Sequence, residues 1–299
     1  MNAKHLGPEP STITVKAYAK LNISLDVLSK RADGYHDMCM VMQSVSLCDD
    51  LSVTLKHDGA VNVVTNLHFL PCDDRNIAAK AAKAFFARIG KTELGADIDI
   101  QKRIPVCAGM GGGSADGAAV LRALNILLDR PFSKSELEAL GASLGSDIPF
   151  CVSGGTALAE GRGEKLSCLA PFPSCSFVIA KPKFSVSTPE LFSKLDLMTV
   201  KFHPDTQGIV SSIESGNLKG ACQRMFNVFE AALPPKPNDV QIIKHSLLDC
   251  GALGAVMTGT GSAVYGVFDD AAKAEYAHYL LSQRYKDVFL AKPQNALEI

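Results

Sequence analysis

The sequence predicts an α+β protein in two domains, and three features carry that prediction. Ile13, Val15, Ala17, Ala19, Leu21, Ile23, Leu25 and Val27 share one parity, while Thr14, Lys16, Tyr18, Lys20, Asn22, Ser24 and Asp26 share the other. That is the period of a half-buried strand. In contrast, NIAAKAAKAFFARIG (76–90) and the stripe Val120, Leu121, Leu124, Leu127, Leu128 repeat at helical spacing. GAVMTGTGSAVYGVF (254–268) reads as strand, loop, strand, so strands recur in the second half.

Taken in order, the first strand pattern passes an Asp33-Gly34 turn signal into Val45, Leu47, Leu51, Val53 and Leu55. The helix over 76–90 is expected to close at Gly90, and alternation returns at Ile98 and Ile100. In SKSELEALGASLG, Ser133 and Glu136 have the spacing of a capping box, with Gly145 as the expected stop. The glycine-broken segment 153–164 and a run with three prolines before Lys183 mark the expected division, set at 1–158 and 159–299. Helices are expected near 217–232 and 238–250.

Composition removes several classes of function. The 299 residues suit one large domain or two ordinary ones, and 47% hydrophobic with 20% charged residues suits a globular core. With 30 basic against 31 acidic residues there is no basic excess for general nucleic-acid or polybasic membrane binding. No apolar run is long enough to span a bilayer, and MNAKHLGPEP lacks a signal-peptide core. Nine cysteines without a C-x-x-C pair suggest reduced thiols in the cytoplasm, and the histidines lack zinc-ligand spacing.

The chemistry concentrates in IPVCAGMGGGSADGAAVLRALN (104–125). It fits neither the Walker loop nor the dinucleotide fingerprint. Its glycines would nevertheless let backbone N–H groups approach an anion, and a helix starting at Ser114 or just beyond would aim its positive end there. Ser114 suits an N-cap, and Asp116 places negative charge in the first turn. On the residues alone, a phosphate cradle and a structural turn remain equally open. Lys20 and Asn22 share a strand face that could be plain solvated surface, and Asp147 in LGSDIPF could simply cap the next turn.

The set AYAKLNISL, KRADGYHDMCMVMQSV, IPVCAGMGGGSADGA, LGSDIPF and MTGTGSAVYG, spanning roughly 13 to 268, resembles the GHMP kinase superfamily. RADGYH points to the branch whose alcohol substrate carries cytidine diphosphate. The resemblance implies an N-terminal ribosomal-protein-S5-like ATP-binding domain and a C-terminal ferredoxin-like domain. The implied activity is ATP- and Mg2+-dependent phosphorylation of the 2-hydroxyl of 4-diphosphocytidyl-2-C-methyl-D-erythritol in the methylerythritol phosphate pathway. It implies that Gly109, Met110, Gly111, Gly112, Gly113 and Ser114 hold the ATP phosphates, with Asn76 on the adenine side. Asp147 and Lys20 are then the catalytic pair, Asn22 a substrate contact, and Tyr35, His36 and Phe192 the cytosine pocket. Magnesium is expected to arrive on ATP, with Ser114 as its one candidate protein contact.

Two departures stand out. Ala115 replaces a second serine and Met42 replaces an aromatic before Gln43, which softens one expected wall of the substrate pocket. GTGSAV (259–264) reads either as a third wall of the site or as a plain hairpin turn. Rival readings are a mevalonate or homoserine kinase, a non-catalytic nucleotide or sugar sensor, and an RNA binder. RADGYH, the Lys20–Asp147 pair and the net charge of −1 argue against them in turn. A monomer or weak homodimer is expected, with small molecules as partners and neither nucleic acid nor membrane.

Overall fold

In the computed structural model, residues 11–196, 200–233 and 239–298 are described; the opening MNAKHLGPEP lies outside them. The alternating segment forms β1 (Thr12–Lys30), which turns through Gly34 at φ +85° into β2 (His36–Lys56). β3 (Val61–Thr65), α1 (Ile77–Arg88) and β4 (Gly95–Gln101) follow. Next come α2 (Gly112–Leu127), α3 (Lys134–Ala142), α4 (Ile148–Ser153), β5 (Thr156–Gly161) and β6 (Lys165–Cys168).

The second part holds β7 (Ser176–Lys181), α5 (Thr188–Asp196), α6 (Thr206–Glu214), α7 (Leu218–Cys222) and β8 (Phe226–Asn227). A single-turn 3-10 helix (Val228–Ala232) precedes α8 (Asp239–Asp249), β9 (Gly254–Met257), β10 (Val264–Phe268), α9 (Ala271–Ser282) and β11 (Asp287–Ala291).

Two sheets organise these elements. The first runs β3-β4-β2-β1-β8, with β5 on β2 and β6 on β5; the second is antiparallel, β11-β7-β10-β9. The expected division at 158/159 falls inside β5, and the change of sheet comes later, between Cys168 and Ser176. The two halves are also stitched together. β8 pairs with β1 at Ser24 and Leu25, and the C-terminal tail returns to bridge Val45 with Pro293 and Gly154 with Ala296.

Two helix expectations change. The expected 217–232 helix breaks after α7, because Asn227 donates from Nδ2 to the carbonyls of Met257 (2.7 Å) and Gly259 (2.8 Å). Those bonds hold β8 extended against the β9 end. The Ser133–Glu136 capping box forms, yet α3 ends at Ala142 rather than Gly145. A methyl at Gly141 would meet Ile148 Cγ2 at 2.7 Å, so α4 packs across the end of α3.

The half-buried reading of β1 also changes. Its apolar parity is buried as expected, but Lys20, Asn22, Ser24 and Asp26 are only 0–4% exposed. Both faces of this central strand are covered. A fully buried lysine and asparagine on one face need partners, and those partners define the site.

Candidate active site

Lys20 donates from Nζ to Asn22 Oδ1 at 2.7 Å and stands 3.6 Å from Asp147 Oδ2. Asn22 Oδ1 also receives the Gly259 N–H at 3.1 Å, and Asn22 Nδ2 lies 3.4 Å from Met40 Sδ. The Asn22 backbone is held as well, its N–H on Thr258 Oγ1 (3.1 Å) and its carbonyl on the Tyr265 hydroxyl (2.8 Å). Asn22 therefore lies wholly buried behind Lys20 and aligns its ammonium, where sequence reasoning expected a substrate contact. Asp147 occupies the N-cap position of α4, but its side chain makes no cap bond and is 31% exposed. Pro149 sits in that first turn and lacks an N–H, which leaves the carboxylate available to the cleft.

The glycine loop packs against this pair. Gly109 (φ +76°) and Gly111 (φ +69°) adopt the left-handed conformation that glycine tolerates. A methyl at Gly109 would fall 2.1 Å from the Thr258 carbonyl oxygen, and one at Gly111 would fall 3.1 Å from Lys20 Cγ. Met110 has a buried side chain and contributes its carbonyl, which accepts the Lys20 N–H at 3.0 Å. Gly111, not Ser114, is the N-cap of α2, because its left-handed turn starts the helix two residues earlier at Gly112. No side chain caps that first turn, and Ser114 is its third residue.

Two clefts meet at the loop. The larger, about 710 Å³, has Lys20, Asp147, Gly109, Gly111 and Ser114 at one end and Tyr35, His36 and Phe192 at the other. His36 stacks on Phe192 with ring centroids 4.5 Å apart at 22°, and Phe192 meets Phe229 edge-on at 4.9 Å. Tyr35 is exposed on the β1–β2 turn, with the Arg162 guanidinium 4.8 Å above its ring. Gly259, Thr260 and Gly261 line the same cleft while joining β9 to β10, so GTGSAV is both hairpin turn and wall.

The smaller cleft, about 360 Å³, lies on the other side of the loop and includes Asn76, Lys102, Gly112, Gly113 and Asp116. Asn76 caps α1 through Oδ1 to the Ala78 N–H (2.9 Å) and donates from Nδ2 to the Pro71 carbonyl (2.8 Å), which engages its amide at both ends.

Sequence reasoning missed several of these groups. Asp116 is more than a helix-start charge; it is buried, bonded at 2.6 Å to Lys102, which also bonds Asp49 at 2.5 Å. Burial, above all, pushes the Asp116 carboxyl up to about 7, and its Oδ1 has no hydrogen-bond partner. Asp49 and Lys102 lie far apart in the chain and follow no local pattern. Thr258, Phe229 and Arg162 likewise join the site only through tertiary contacts. Ala115 and Met42 are both core residues, and the methionines on the cleft wall are Met38 and Met40. Among the described residues no cluster of three His, Cys, Asp or Glu side chains could hold a metal ion. No helix there is long and apolar enough to cross a membrane.

Comparison with known proteins agrees with this geometry. The family descriptions "GHMP kinases N terminal domain" and "GHMP kinases C terminal" match residues 76–155 and 209–287, more than half of the chain together. A 4-diphosphocytidyl-2-C-methyl-D-erythritol kinase of Clostridium botulinum (strain Eklund 17B / Type B) is 42% identical over 94% of this chain and 99% of that protein. The chain belongs to the 4-diphosphocytidyl-2-C-methyl-D-erythritol kinases of the GHMP kinase family.

A second family member, from Clostridium kluyveri (strain ATCC 8527), is 41% identical over 93% of this chain and 99% of its own. A crystal structure of 4-(cytidine 5'-diphospho)-2C-methyl-D-erythritol kinase superposes with a TM-score of 0.78 at 27% identity, covering 95% of this chain and all of that one. Homoserine kinase from Cytophaga hutchinsonii shares the fold at a TM-score of 0.71, 17% identity and 98% coverage of both chains. The family's two-domain kinase architecture is thus the architecture of this α+β chain.

Proposed function

We propose that this kinase transfers the terminal phosphoryl group of ATP to the 2-hydroxyl of 4-diphosphocytidyl-2-C-methyl-D-erythritol, releasing ADP. The observation that carries the reading is the Lys20–Asp147 pair, 3.6 Å apart, beside uncapped helix N–H groups where two clefts meet. ATP would enter the smaller cleft and extend its phosphates over Gly109 to Ser114, while the alcohol occupies the larger one.

Phosphoryl transfer needs alignment and charge stabilisation more than a strong base. Asp147 orients the acceptor hydroxyl and takes its proton as the new P–O bond forms. Lys20, fixed by Asn22, neutralises charge on the phosphoryl oxygens. The α2 N-terminus adds unpaired N–H groups and its positive dipole end. Magnesium carried on the ATP phosphates would supply further charge neutralisation, and Ser114, the hydroxyl residue of the loop, would be its protein contact. Tyr35, His36 and Phe192 give the far end flat apolar and hydrogen-bonding surfaces suited to cytosine. Every group named lies on one chain, so a monomer suffices, and nine free cysteines suit a reducing cytoplasm. We place the ATP-binding part in the first sheet with β5 and β6, and the second part from β7 onward.

The test is ADP release from purified protein with Mg-ATP and the cytidyl substrate, beside mevalonate and homoserine. Turnover with the cytidyl substrate alone is expected. Turnover with another alcohol would keep the phosphate loop, Lys20 and Asp147 but overturn the cytosine pocket.

A further inference from the structure

Besides Lys20 and Lys30, one further cation lines the larger cleft, Arg162. Gly161 (φ +67°) and Gly163 (φ +113°) form the tight turn between β5 and β6 and present Arg162 at its tip. The turn is fixed at both sides. Gly161 pairs with Met38 of β2, and the Arg162 N–H is capped by Glu164 Oε2 at 2.7 Å. A methyl at Gly163 would lie 3.0 Å from Met40 Cε and 3.7 Å from the carbonyl oxygen of Ser146, the neighbour of Asp147. Arg162 therefore stands between Tyr35 on one side and Ser146–Asp147 on the other, and it lines the cleft with all three.

Its bonding is unusual for a half-buried arginine. The guanidinium lies over the Tyr35 ring at 4.8 Å, and among the described residues it makes no ion pair with a carboxylate. Asp33 feels its charge but is already bonded to Arg31 at 3.2 Å. Stacking uses the flat face of a guanidinium and leaves its N–H edge free to bind oxygen anions in pairs. A ligand with its base at Tyr35 and its hydroxyl at Asp147 must pass its linking group across this edge.

We infer that Arg162 is the diphosphate-recognising residue of the acceptor cleft, its face steadying Tyr35 and its N–H edge binding the anionic bridge between base and alcohol. This rests on the cytidyl reading above and extends it to the part of the substrate for which no residue had been assigned. An alcohol without a diphosphate leaves the guanidinium edge unpaired, so the same residue selects against smaller acceptors.

Calorimetric binding of cytidine, CMP and CDP to wild type, Arg162→Gln and Arg162→Lys tests this, together with KM for ATP and for the cytidyl substrate. Wild type is expected to prefer CDP over cytidine. Arg162→Gln should lose about 10- to 100-fold in CDP affinity and raise KM for the cytidyl substrate similarly, with cytidine affinity and KM for ATP unchanged. Arg162→Lys should recover part of the CDP preference by charge alone. An equal loss for cytidine and CDP would reduce Arg162 to a support for Tyr35 and overturn the inference, as would no loss for either. An unchanged KM for the cytidyl substrate in Arg162→Gln would sink this inference and leave the kinase reading standing. A wild type that binds no CDP would sink both.

Discussion

Asp116→Asn should stand closest to wild type in stability below pH 3.8 and gain on wild type progressively as pH rises to about 7. In the native state Asp116 is enclosed beneath the glycine loop, where burial outweighs its bond to Lys102 and, with Asp49 alongside, lifts its carboxyl from 3.8 to about 7. The native state thus binds this proton more tightly than the unfolded chain. The associated stability is fully present below pH 3.8 and is lost as pH rises through about 7. A displacement of about three units corresponds to a ceiling of about 4 kcal/mol, since Lys102 and Asp49 can rearrange around the carboxylate. The amide introduced by the substitution would still accept from Lys102 and would bring no charge to ionise. Chemical unfolding of both proteins between about pH 4 and about pH 8 measures the difference directly. A wild-type-minus-variant difference that stays constant across that range would refute the reasoning, because a packing effect has no such slope.

Three further outcomes follow from the site. Asp147→Ala should lower kcat by about a thousandfold with nucleotide binding retained, as read by steady-state kinetics and ADP titration; near-normal kcat would remove Asp147 from proton transfer. Tyr35→Ala should raise KM for the cytidyl substrate about tenfold and leave KM for ATP alone, whereas an unchanged value would place the base elsewhere. Gly111→Ala forces a side chain into φ +69° and against Lys20 Cγ at 3.1 Å. It should cost about 1–2 kcal/mol in unfolding experiments and depress kcat more than either KM; full activity would show that the loop can shift without consequence.

Much of this protein was legible in order along the chain. The parity of Ile13 to Val27 marked β1, the Ser133–Glu136 spacing marked the start of α3, and Gly90 lay at the close of α1. Such features are local: a strand's period, a cap or a turn residue is set by atoms within a few positions. The motif wording also brought Lys20, the glycine loop and Asp147 to one site before any distance was known.

What only the tertiary structure decided were the properties that depend on distant cover. Parity could assign Lys20 and Asn22 to one face of β1, but the burial of that face follows from Thr258, Gly259 and Tyr265 arriving from more than two hundred residues away. Asp116 read as an ordinary helix-start charge because Asp49 and Lys102 reach it only across the fold. Arg162 carried no signal in its neighbours, and it acquires a role because β5 pairs with β2 and sets its turn beside Tyr35. Local sequence sets which way a side chain points from its own backbone; the dielectric, the partner and therefore the chemistry at its tip come from whatever the rest of the chain folds against it.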